Sequence, residues 1–194
     1  MHILDDLHAR GLIHDTTDET SLRAHLSENA PVHFYVGFDP TSDSLHVGSL
    51  LPIITMARLQ RAGHRPIIVV GGGTGLIGDP SGKSSERQLL DPETLAKNVE
   101  GIRSQLRAML DLEDPRVGAW VRNNADWLCR LNLVEFLRDI GKHFSVNAMI
   151  ARESVKQRLE NREQGISFTE FSYQLLQAYD FLHLYRQDHC TLQV

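Results

Sequence analysis

Residues 35–49 read YVGFDPTSDSLHVGS, and this stretch decides the fold. A β-rich run ends in Gly-Phe-Asp-Pro-Thr, and the pattern then predicts a helix with His46 and Gly48 in its first turn. Such a junction brings imidazole, hydroxyl and backbone N–H groups together at a helix N-terminus. Aligned peptide dipoles and unpaired amides favour negative charge there. The stretch therefore indicates a nucleotide-type phosphate site, with an ordinary capped helix as the alternative.

The segments around this stretch follow a strand–helix–strand pattern. Val32–Val36 is typical of a strand, and the apolar residues of Leu45–Ala62 recur at helical spacing until Gly63. Pro66–Val70 holds two Ile and two Val, the composition of a buried parallel strand. Two parallel strands joined by a helix begin a doubly wound α/β sheet. We therefore predict an α/β fold with a Rossmann-like, doubly wound parallel sheet.

The whole chain divides by pattern into four parts. Residues 1–30 are typical of a helical lead-in and residues 31–125 of the β-α-β core. Residues 126–189 are mostly helical, which predicts a helical insertion, and residues 190–194 look like the start of a further strand. Within the core, the pattern predicts two more elements, a helix from about Pro92 to Leu110 and a strand at Ala119–Arg122. A chain of 194 residues is long enough for one hydrophobic core.

Composition narrows the class of protein. A hydrophobic content of 41% and a charged content of 23% are those of a globular protein, and no apolar run reaches the roughly 18 residues of a membrane span. Cys129 and Cys190 match no metal spacing, and two separated thiols fit a reducing cytoplasm. No histidine pair has ligand spacing, so we predict no metal site. The net charge of −5 gives no sign of RNA binding.

The glycine-rich loop of residues 71–82 comes close to two nucleotide-binding motifs but departs from both. Gly73–Gly78 fits the G-x-G-x-x-G dinucleotide fingerprint, but a turn-like Asp-Pro-Ser-Gly follows it where a helix should begin. A Walker A loop ending at Lys83 would need a glycine where Ile77 stands. A nicotinamide site and a P-loop ATPase are therefore disfavoured. Lys83 and Arg87 either meet phosphate by charge or form a solvated face.

Other polar residues are placed for ligand binding. Asp79 follows the glycine loop beyond a parallel strand, where a carboxylate can hold an ammonium group or simply cap a turn. Tyr173, Gln177 and Asp180 are spaced i, i+4 and i+7, so they share one helical stripe. That stripe either lines a polar pocket or faces solvent. Spacing does not decide between these two readings.

Several separated segments resemble one known family. YVGFDPTSDSLHVGS resembles the HIGH-type signature of class I aminoacyl-tRNA synthetases. Residues 71–87, GGGTGLIGDPSGKSSER, resemble the bacterial-type tyrosine-specific members. The resemblance continues through residues 136–147, FLRDIGKHFSVN, and residues 165–181, GISFTEFSYQLLQAYDF. It covers nearly the whole chain. It implies activation of L-tyrosine with ATP and Mg²⁺ to tyrosyl-adenylate, followed by transfer to tRNA(Tyr).

The resemblance also implies roles for individual residues. The substrate phenol would meet Tyr35 and Asp180, and its ammonium group would meet Asp79, Tyr173 and Gln177. Gln193 would lie near the substrate carboxylate or the ribose. The ATP side would be formed by Gly37, Asp39, Thr41, His46, Gly48 and Ser49. The catalytic set would be Thr41, His46, Lys83 and Arg87, the last two on a loop that helps bind pyrophosphate. Ser49 departs from the family pattern, because the HIGH-type motif usually ends in His.

The resemblance carries expectations about assembly and length. In this family, helices matching Phe136–Ile150 and Phe168 contribute to a homodimer interface, although their apolar residues also fit a monomer core. The family pattern continues into a KMSKS-type lysine loop and a C-terminal RNA-binding domain, which this sequence lacks. We therefore expect the N-terminal part of a catalytic domain, poorly stable and inactive alone. The alternatives are a tryptophan-specific relative and a short non-catalytic paralogue that binds tyrosine or a partner subunit.

Overall fold

The computed structural model describes residues 2–78, 91–160 and 165–194. Four strands form one sheet: β1 (His33–Phe38), β2 (Arg65–Val70), β3 (Trp120–Asn123) and β4 (Cys190–Gln193). Nine helices appear in these ranges: α1 (Ile3–Ala9), α2 (Glu19–Glu28), α3 (Leu50–Arg61), α4 (Pro92–Arg107), α5 (Ala125–Leu128), α6 (Leu133–Asp139), α7 (Val146–Ile150), α8 (Glu153–Glu160) and α9 (Phe168–Asp188). Short 3₁₀ turns lie at Val47–Ser49, Thr74–Leu76 and Gly141–His143. None of the described helices is both long and apolar enough to cross a membrane.

The sheet is parallel throughout, and its strands lie in the order β3-β2-β1-β4. The chain moves outward from β1 to β2 to β3 and then returns to place β4 on the other side of β1. The strand order therefore reverses between β1 and β4. In open α/β sheets, ligands bind beyond the carboxyl ends of the strands at such a reversal.

Alternate residues of the central strands pack into two separate cores, one on each face of the sheet. Phe34 and Ile68 belong to the core that α1 to α4 cover. Tyr35 and Ile67 belong to the core that Trp127 of α5 and Leu184 of α9 cover. Because successive side chains of a strand point to opposite faces, burial of both sets requires helices on both sides. The predicted α/β fold with a doubly wound parallel sheet is confirmed.

The junction after β1 differs from its prediction. The helix was expected to include His46 and Gly48 in its first turn, but α3 begins at Leu50. His46 is extended (φ −98°, ψ 169°) and precedes the 3₁₀ turn Val47–Ser49, in which the Ser49 N–H donates to the His46 carbonyl at 2.9 Å. The tighter turn leaves His46 outside the α-helix. An exposed helical start is decided by such local hydrogen bonds and not by apolar spacing.

A buried ion pair ties α8 to the first turn of α9. The Arg158 guanidinium donates to both Glu170 carboxylate oxygens, at 3.0 and 2.9 Å, and also to the Gly165 carbonyl. Arg158 and Glu170 are 3% and 2% exposed. Ser167 caps the same end of α9, since its hydroxyl accepts from the Glu170 N–H. The N-terminal half of α9, which carries Tyr173, is thereby fixed in place.

Candidate active site

Polar residues lie beyond or at the carboxyl end of every strand. Asp39 follows β1, Thr74 lies in the loop after β2, Asn124 follows β3, and Gln193 ends β4. Together with α9 they border a cavity of about 230 Å³ at the point where the strand order reverses. This volume is below the roughly 300–1,000 Å³ of sites for drug-sized ligands, so it suits a molecule of amino-acid size.

The helical stripe of Tyr173, Gln177 and Asp180 lines this cavity. Tyr173 and Asp180 are buried, and Gln177 is exposed at the cavity mouth. The alternative reading, a stripe that faces solvent, holds for Gln177 and fails for Tyr173 and Asp180. The Tyr173 hydroxyl donates to Asp39 Oδ1 at 3.3 Å, so α9 and the end of β1 are joined across the cavity.

The Asp180 carboxylate has a strongly perturbed pKa. Its Oδ2 accepts from Asn124 Nδ2 at 2.9 Å and its Oδ1 accepts from the Trp127 indole N–H at 2.7 Å. Burial raises the pKa of Asp180 to about 6, against the two hydrogen bonds, which lower it, and with a smaller contribution from the charge of Asp39. A carboxylate held this way accepts a hydrogen bond from a ligand at neutral pH and gains a proton in mild acid.

Asn124 connects Asp180 to the glycine-rich loop. Its Oδ1 accepts from the backbone N–H groups of Gly73 and Thr74, at 2.7 and 3.3 Å, while Nδ2 also donates to Thr74 Oγ1 at 2.9 Å. Sequence analysis missed this residue, which is 1% exposed. The pair Asn123-Asn124 at the carboxyl end of a predicted parallel strand could have indicated it, because ligands bind beyond the carboxyl ends of parallel strands.

Trp127 was missed as well. Its ring stacks on His183 of α9, with 4.3 Å between ring centroids and 14° between planes. Burial lowers the pKa of His183, so the ring favours its neutral form. The stack fixes the indole whose N–H reaches Asp180. No motif marks a tryptophan on a four-residue helix for this task.

The Tyr35 hydroxyl lies in the same part of the site. It is buried and has no hydrogen-bond partner within residues 2–78, 91–160 and 165–194. Burial, and then the charge of Asp180, raises the pKa of Tyr35, so the phenol keeps its proton at neutral pH. A buried O–H without a partner carries an energetic cost that a ligand oxygen would remove.

A β-bulge turns Gln193 toward Tyr35. His33 pairs with Cys190, but Phe34 pairs with Leu192 and Tyr35 with Gln193, so the register shifts by one residue at Thr191. The shift places Gln193 opposite Tyr35, where it lines the cavity. The extra residue shifts the register of the two residues that follow it, Leu192 and Gln193, against β1.

The residues predicted for the ATP side do not all lie at the cavity. Gly37 and Asp39 line the cavity, and open space extends at least 4 Å from the point where a Gly37 Cβ would stand. Thr41, His46 and Gly48 are exposed on the following loop and do not line the cavity, and Ser49 is buried. Asp79, Lys83 and Arg87 lie outside the described residues.

The glycines of the loop after β2 pack against protein atoms. A Cβ on Gly72 would come within 2.2 Å of Asn123 Oδ1, and one on Gly73 within 3.3 Å of the Ala125 N atom. These glycines therefore let the loop approach the start of α5. At these two positions the neighbour that leaves no room for a Cβ is the protein itself.

The described lining of the cavity is acidic. It includes Asp39 and Asp180, and no Lys or Arg occurs among the described lining residues. A cationic group such as an ammonium is therefore favoured over a second anion in this cavity. Within the parts of the chain that the structure describes, no group of three or more His, Cys, Asp or Glu side chains is arranged to hold a metal ion.

Comparisons with known proteins agree with this geometry. The family model described as tRNA synthetases class I (W and Y) matches residues 27–194. The chain is 56% identical to a tyrosine--tRNA ligase of Anaeromyxobacter dehalogenans and 54% identical to that of Aliivibrio fischeri. The two alignments cover 100% and 99% of this chain but only 44% and 45% of the length of these relatives.

A solved structure shows the same fold. The C-terminally truncated mitochondrial tyrosyl-tRNA synthetase of Aspergillus nidulans superposes with a TM-score of 0.87 at 30% identity, over 99% of this chain and 56% of that one. Tryptophanyl-tRNA synthetase from Giardia lamblia, at 15% identity and a TM-score of 0.64, shares the fold. The chain belongs to the class I tRNA synthetase family that comprises the tryptophan and tyrosine enzymes.

Proposed function

We propose that this chain carries the tyrosine-binding part and one side of the ATP site of a tyrosine--tRNA ligase. The observation that carries the proposal is the pair formed by the buried, unpaired Tyr35 hydroxyl and the Asp180 carboxylate in one small cavity. The 54–56% identity to tyrosine--tRNA ligases favours tyrosine over tryptophan as the substrate.

In this proposal, the substrate phenol binds at the closed end of the cavity. Its O–H donates to Asp180, and its oxygen accepts from the Tyr35 O–H. Phenylalanine would leave the Tyr35 O–H without a partner and would leave Asp180 with only its hydrogen bonds from Asn124 and Trp127, and both losses are costly in a dry site. Tyrosyl-tRNA synthetases are the standard example of this discrimination, so rejection of phenylalanine is an expectation for the family and not an independent result.

The ammonium group of the substrate points toward the cavity mouth. Tyr173 and Gln177 line this part, and Asp79 follows directly after the described glycine loop. The acidic lining favours an ammonium over a neutral group. Gln193, which the bulge turns toward Tyr35, lies on the side where we place the substrate carboxylate or the ribose.

On the ATP side, the proposed chemistry needs no general base. The substrate carboxylate attacks the α-phosphate and pyrophosphate leaves, so the protein must bring two anions together and stabilise the developing charge. The proposed contributors are Thr41, His46, Ser49, Lys83 and Arg87, with Mg²⁺ bound to the ATP substrate. Because Ser49 is buried, a contact with the nucleotide would require it to act through its neighbours.

We also propose a cytoplasmic homodimer that uses tRNA(Tyr) as its acceptor. An exposed apolar surface on α6, α7 and the start of α9 supports the dimer: Leu133, Val134, Leu137, Val146, Ile150 and Phe168. Large exposed apolar patches usually mark interaction sites, and we propose that these side chains form one. The same helices were predicted to take part in the interface.

Calorimetric titration of the purified protein with L-tyrosine and with L-phenylalanine tests the proposal. We expect tyrosine to bind, phenylalanine to bind at least about 10²-fold more weakly, and Asp180→Ala to abolish tyrosine binding. Asp126→Ala, on the exposed side of α5, serves as the matched control and should bind as wild type. Equal binding of the two amino acids would refute the proposal. We expect this chain alone not to catalyse tyrosine-dependent exchange of pyrophosphate into ATP, and exchange at the rate of a complete ligase would overturn that expectation.

A further inference from the structure

The loop of residues 39–46 connects β1 to the turn before α3 and contains no helix or strand. It carries Thr41 and His46, the residues assigned to the ATP side. One face of α4 lies against this loop. The contacts come from Asn98, Gly101 and Gln105, which are spaced i, i+3 and i+7 and therefore share one helical stripe.

Asn98 holds the start of the loop. Its side chain is 6% exposed, and Nδ2 donates to the Pro40 carbonyl at 3.0 Å. Pro40 itself is buried. The amide therefore fixes the backbone directly before Thr41, in a place that water does not reach freely.

Gly101 allows the middle of the loop to touch the helix. A Cβ at this position would lie 2.2 Å from the Asp43 carbonyl oxygen and 3.0 Å from its carbon. Real Cβ atoms do not approach backbone atoms this closely, so any other residue would push the loop away. Glycine inside a helix costs stability relative to alanine, and the close approach explains its presence here.

Gln105 holds the end of the loop. Its Oε1 accepts from the Leu45 N–H at 3.0 Å, one residue before His46. The helix behind these contacts is well anchored, because Ile102 and Leu106 on its other side are 1% exposed in the core under the sheet. The loop is thus held at its start, middle and end by one rigid element.

We propose that Asn98, Gly101 and Gln105 are positioning residues that hold loop 39–46 in the conformation that the ATP side of the site requires. The inference rests on the proposed function. The tyrosine side has separate supports, since Asp180 is held by Asn124 and Trp127. Substitution of Asn98, Gly101 or Gln105 should therefore lower the affinity for ATP and leave the affinity for tyrosine unchanged.

Gly101→Ala tests the inference, with Ser104→Ala on the exposed face of the same helix as the control. Alanine at position 101 alone should raise helix stability, so a neutral or improved protein is the result if the loop contact does not matter. We expect faster hydrogen exchange at the loop amides, affinity for L-tyrosine within about twofold of wild type, and affinity for ATP with Mg²⁺ lower by about ten- to hundredfold.

Gln105→Ala and Gln105→Glu provide a second test that does not depend on close packing. Glutamate keeps an oxygen acceptor for the Leu45 N–H and alanine does not. Gln105→Ala should therefore lose loop protection and ATP affinity, and Gln105→Glu should retain more of both. Equal behaviour of the two variants would contradict the inference. So would an equal fall in tyrosine and ATP affinity, which a general loss of structure produces.

The failure of this inference and of the proposed function can be told apart. If the wild-type protein binds no tyrosine, the proposed function fails. If it binds tyrosine but not ATP with Mg²⁺, the assignment of the loop to ATP is overturned, whatever the exchange data show. If it binds both and Gly101→Ala matches Ser104→Ala in exchange and in both affinities, the positioning role is overturned and the proposed function stands.

Discussion

Asp180 sits in a nearly dry position, 5% exposed, and this burial controls the pH range of the site. Its pKa is raised from 3.8 to about 6, which corresponds to roughly 3 kcal/mol at about 1.36 kcal/mol per pKa unit. The sign is unfavourable for the folded protein at neutral pH: the contribution of Asp180 to stability is fully present below pH 3.8 and is lost as the pH rises through about 6. Ionisation of Asp180 therefore lowers the stability of the folded protein, and the proposed role of the carboxylate is to bind tyrosine.

Tyrosine affinity should fall in mild acid for the same reason. Below about pH 6, Asp180 gains a proton and no longer accepts freely from the substrate phenol. We expect the dissociation constant for L-tyrosine to rise about tenfold per pH unit below that point and to be nearly flat above it. Calorimetric titrations from about pH 5 to 8 check this. A flat profile across the whole range would show that the phenol does not depend on the Asp180 carboxylate.

Replacement of Asn124 should shift this pH profile. The Asn124 hydrogen bond lowers the pKa of Asp180, so Asn124→Ala should raise that pKa and move the loss of tyrosine affinity to higher pH. The variant should also be less stable by about 1–3 kcal/mol, because buried partners of the amide are left unsatisfied. Urea unfolding and the same titrations measure both effects. Asn147→Ala, at an exposed position, is the control. An unshifted binding profile would mean that Asn124 only supports the fold.

At the scale of elements, the Arg158–Glu170 pair decides how firmly α9 begins. Removal of one partner leaves a buried charge without compensation, so Glu170→Ala should lower the free energy of unfolding by about 3–5 kcal/mol. The exposed pair Arg138–Asp139 offers the contrast, and Arg138→Ala should cost less than about 1 kcal/mol. Chemical denaturation compares the two. Similar costs for both variants would show that burial does not govern the strength of the pair.

The elements that could be predicted were those with a helical pattern or a run of β-branched residues. The Ile and Val residues of β2, the helical pattern of α4 and the stripe on α9 all led to elements that the structure contains, although α4 ends at Arg107 and not near Leu110. Helix α5 was missed because four residues carry no period. The bulge at Thr191 was missed because a register shift depends on the neighbouring strand, which local sequence does not report.

The residues that line the candidate site could be predicted from the sequence, but the residues that support them could not. Tyr35, Tyr173, Gln177, Asp180 and Gln193 were named in advance, and the structure gathers them around one cavity. Their supports were not named, because Asn124, Trp127 and His183 act through contacts between distant segments. Thr41 and His46 were also named, but they are exposed and do not line the cavity, and only the fold shows that α4 holds their loop.

At the scale of the whole molecule, the exposed apolar surface on α6, α7 and the start of α9 predicts self-association. Val134 is 73% exposed, so Val134→Asp should not disturb the core but should disrupt an interface there. We expect sedimentation equilibrium to show dimers for wild type and monomers for the variant, with unchanged far-ultraviolet circular dichroism. Met109→Asp, at an exposed apolar position at the end of α4, is the control. A monomeric wild type would remove the dimer proposal.

The sheet as a whole explains why the site lies where it does. The order β3-β2-β1-β4 places the reversal beside β1, and the carboxyl ends of all four strands then deliver polar groups to one edge. Helix α9 covers the opposite face from α4, so the cavity residues on α9 and loop 39–46 are supported from different layers. Under the proposed function, we expect changes in one layer to affect one substrate more than the other.

The central claim is that Tyr35 and Asp180 together bind the phenol of L-tyrosine. A crystal structure of the protein with L-tyrosine tests it most directly. We expect the phenolic oxygen to lie within hydrogen-bond distance of both Tyr35 Oη and an Asp180 carboxylate oxygen. We expect the ammonium group to point toward Tyr173 and Gln177. A ligand bound in the reverse orientation, or outside the cavity between β1, β4 and α9, would contradict it.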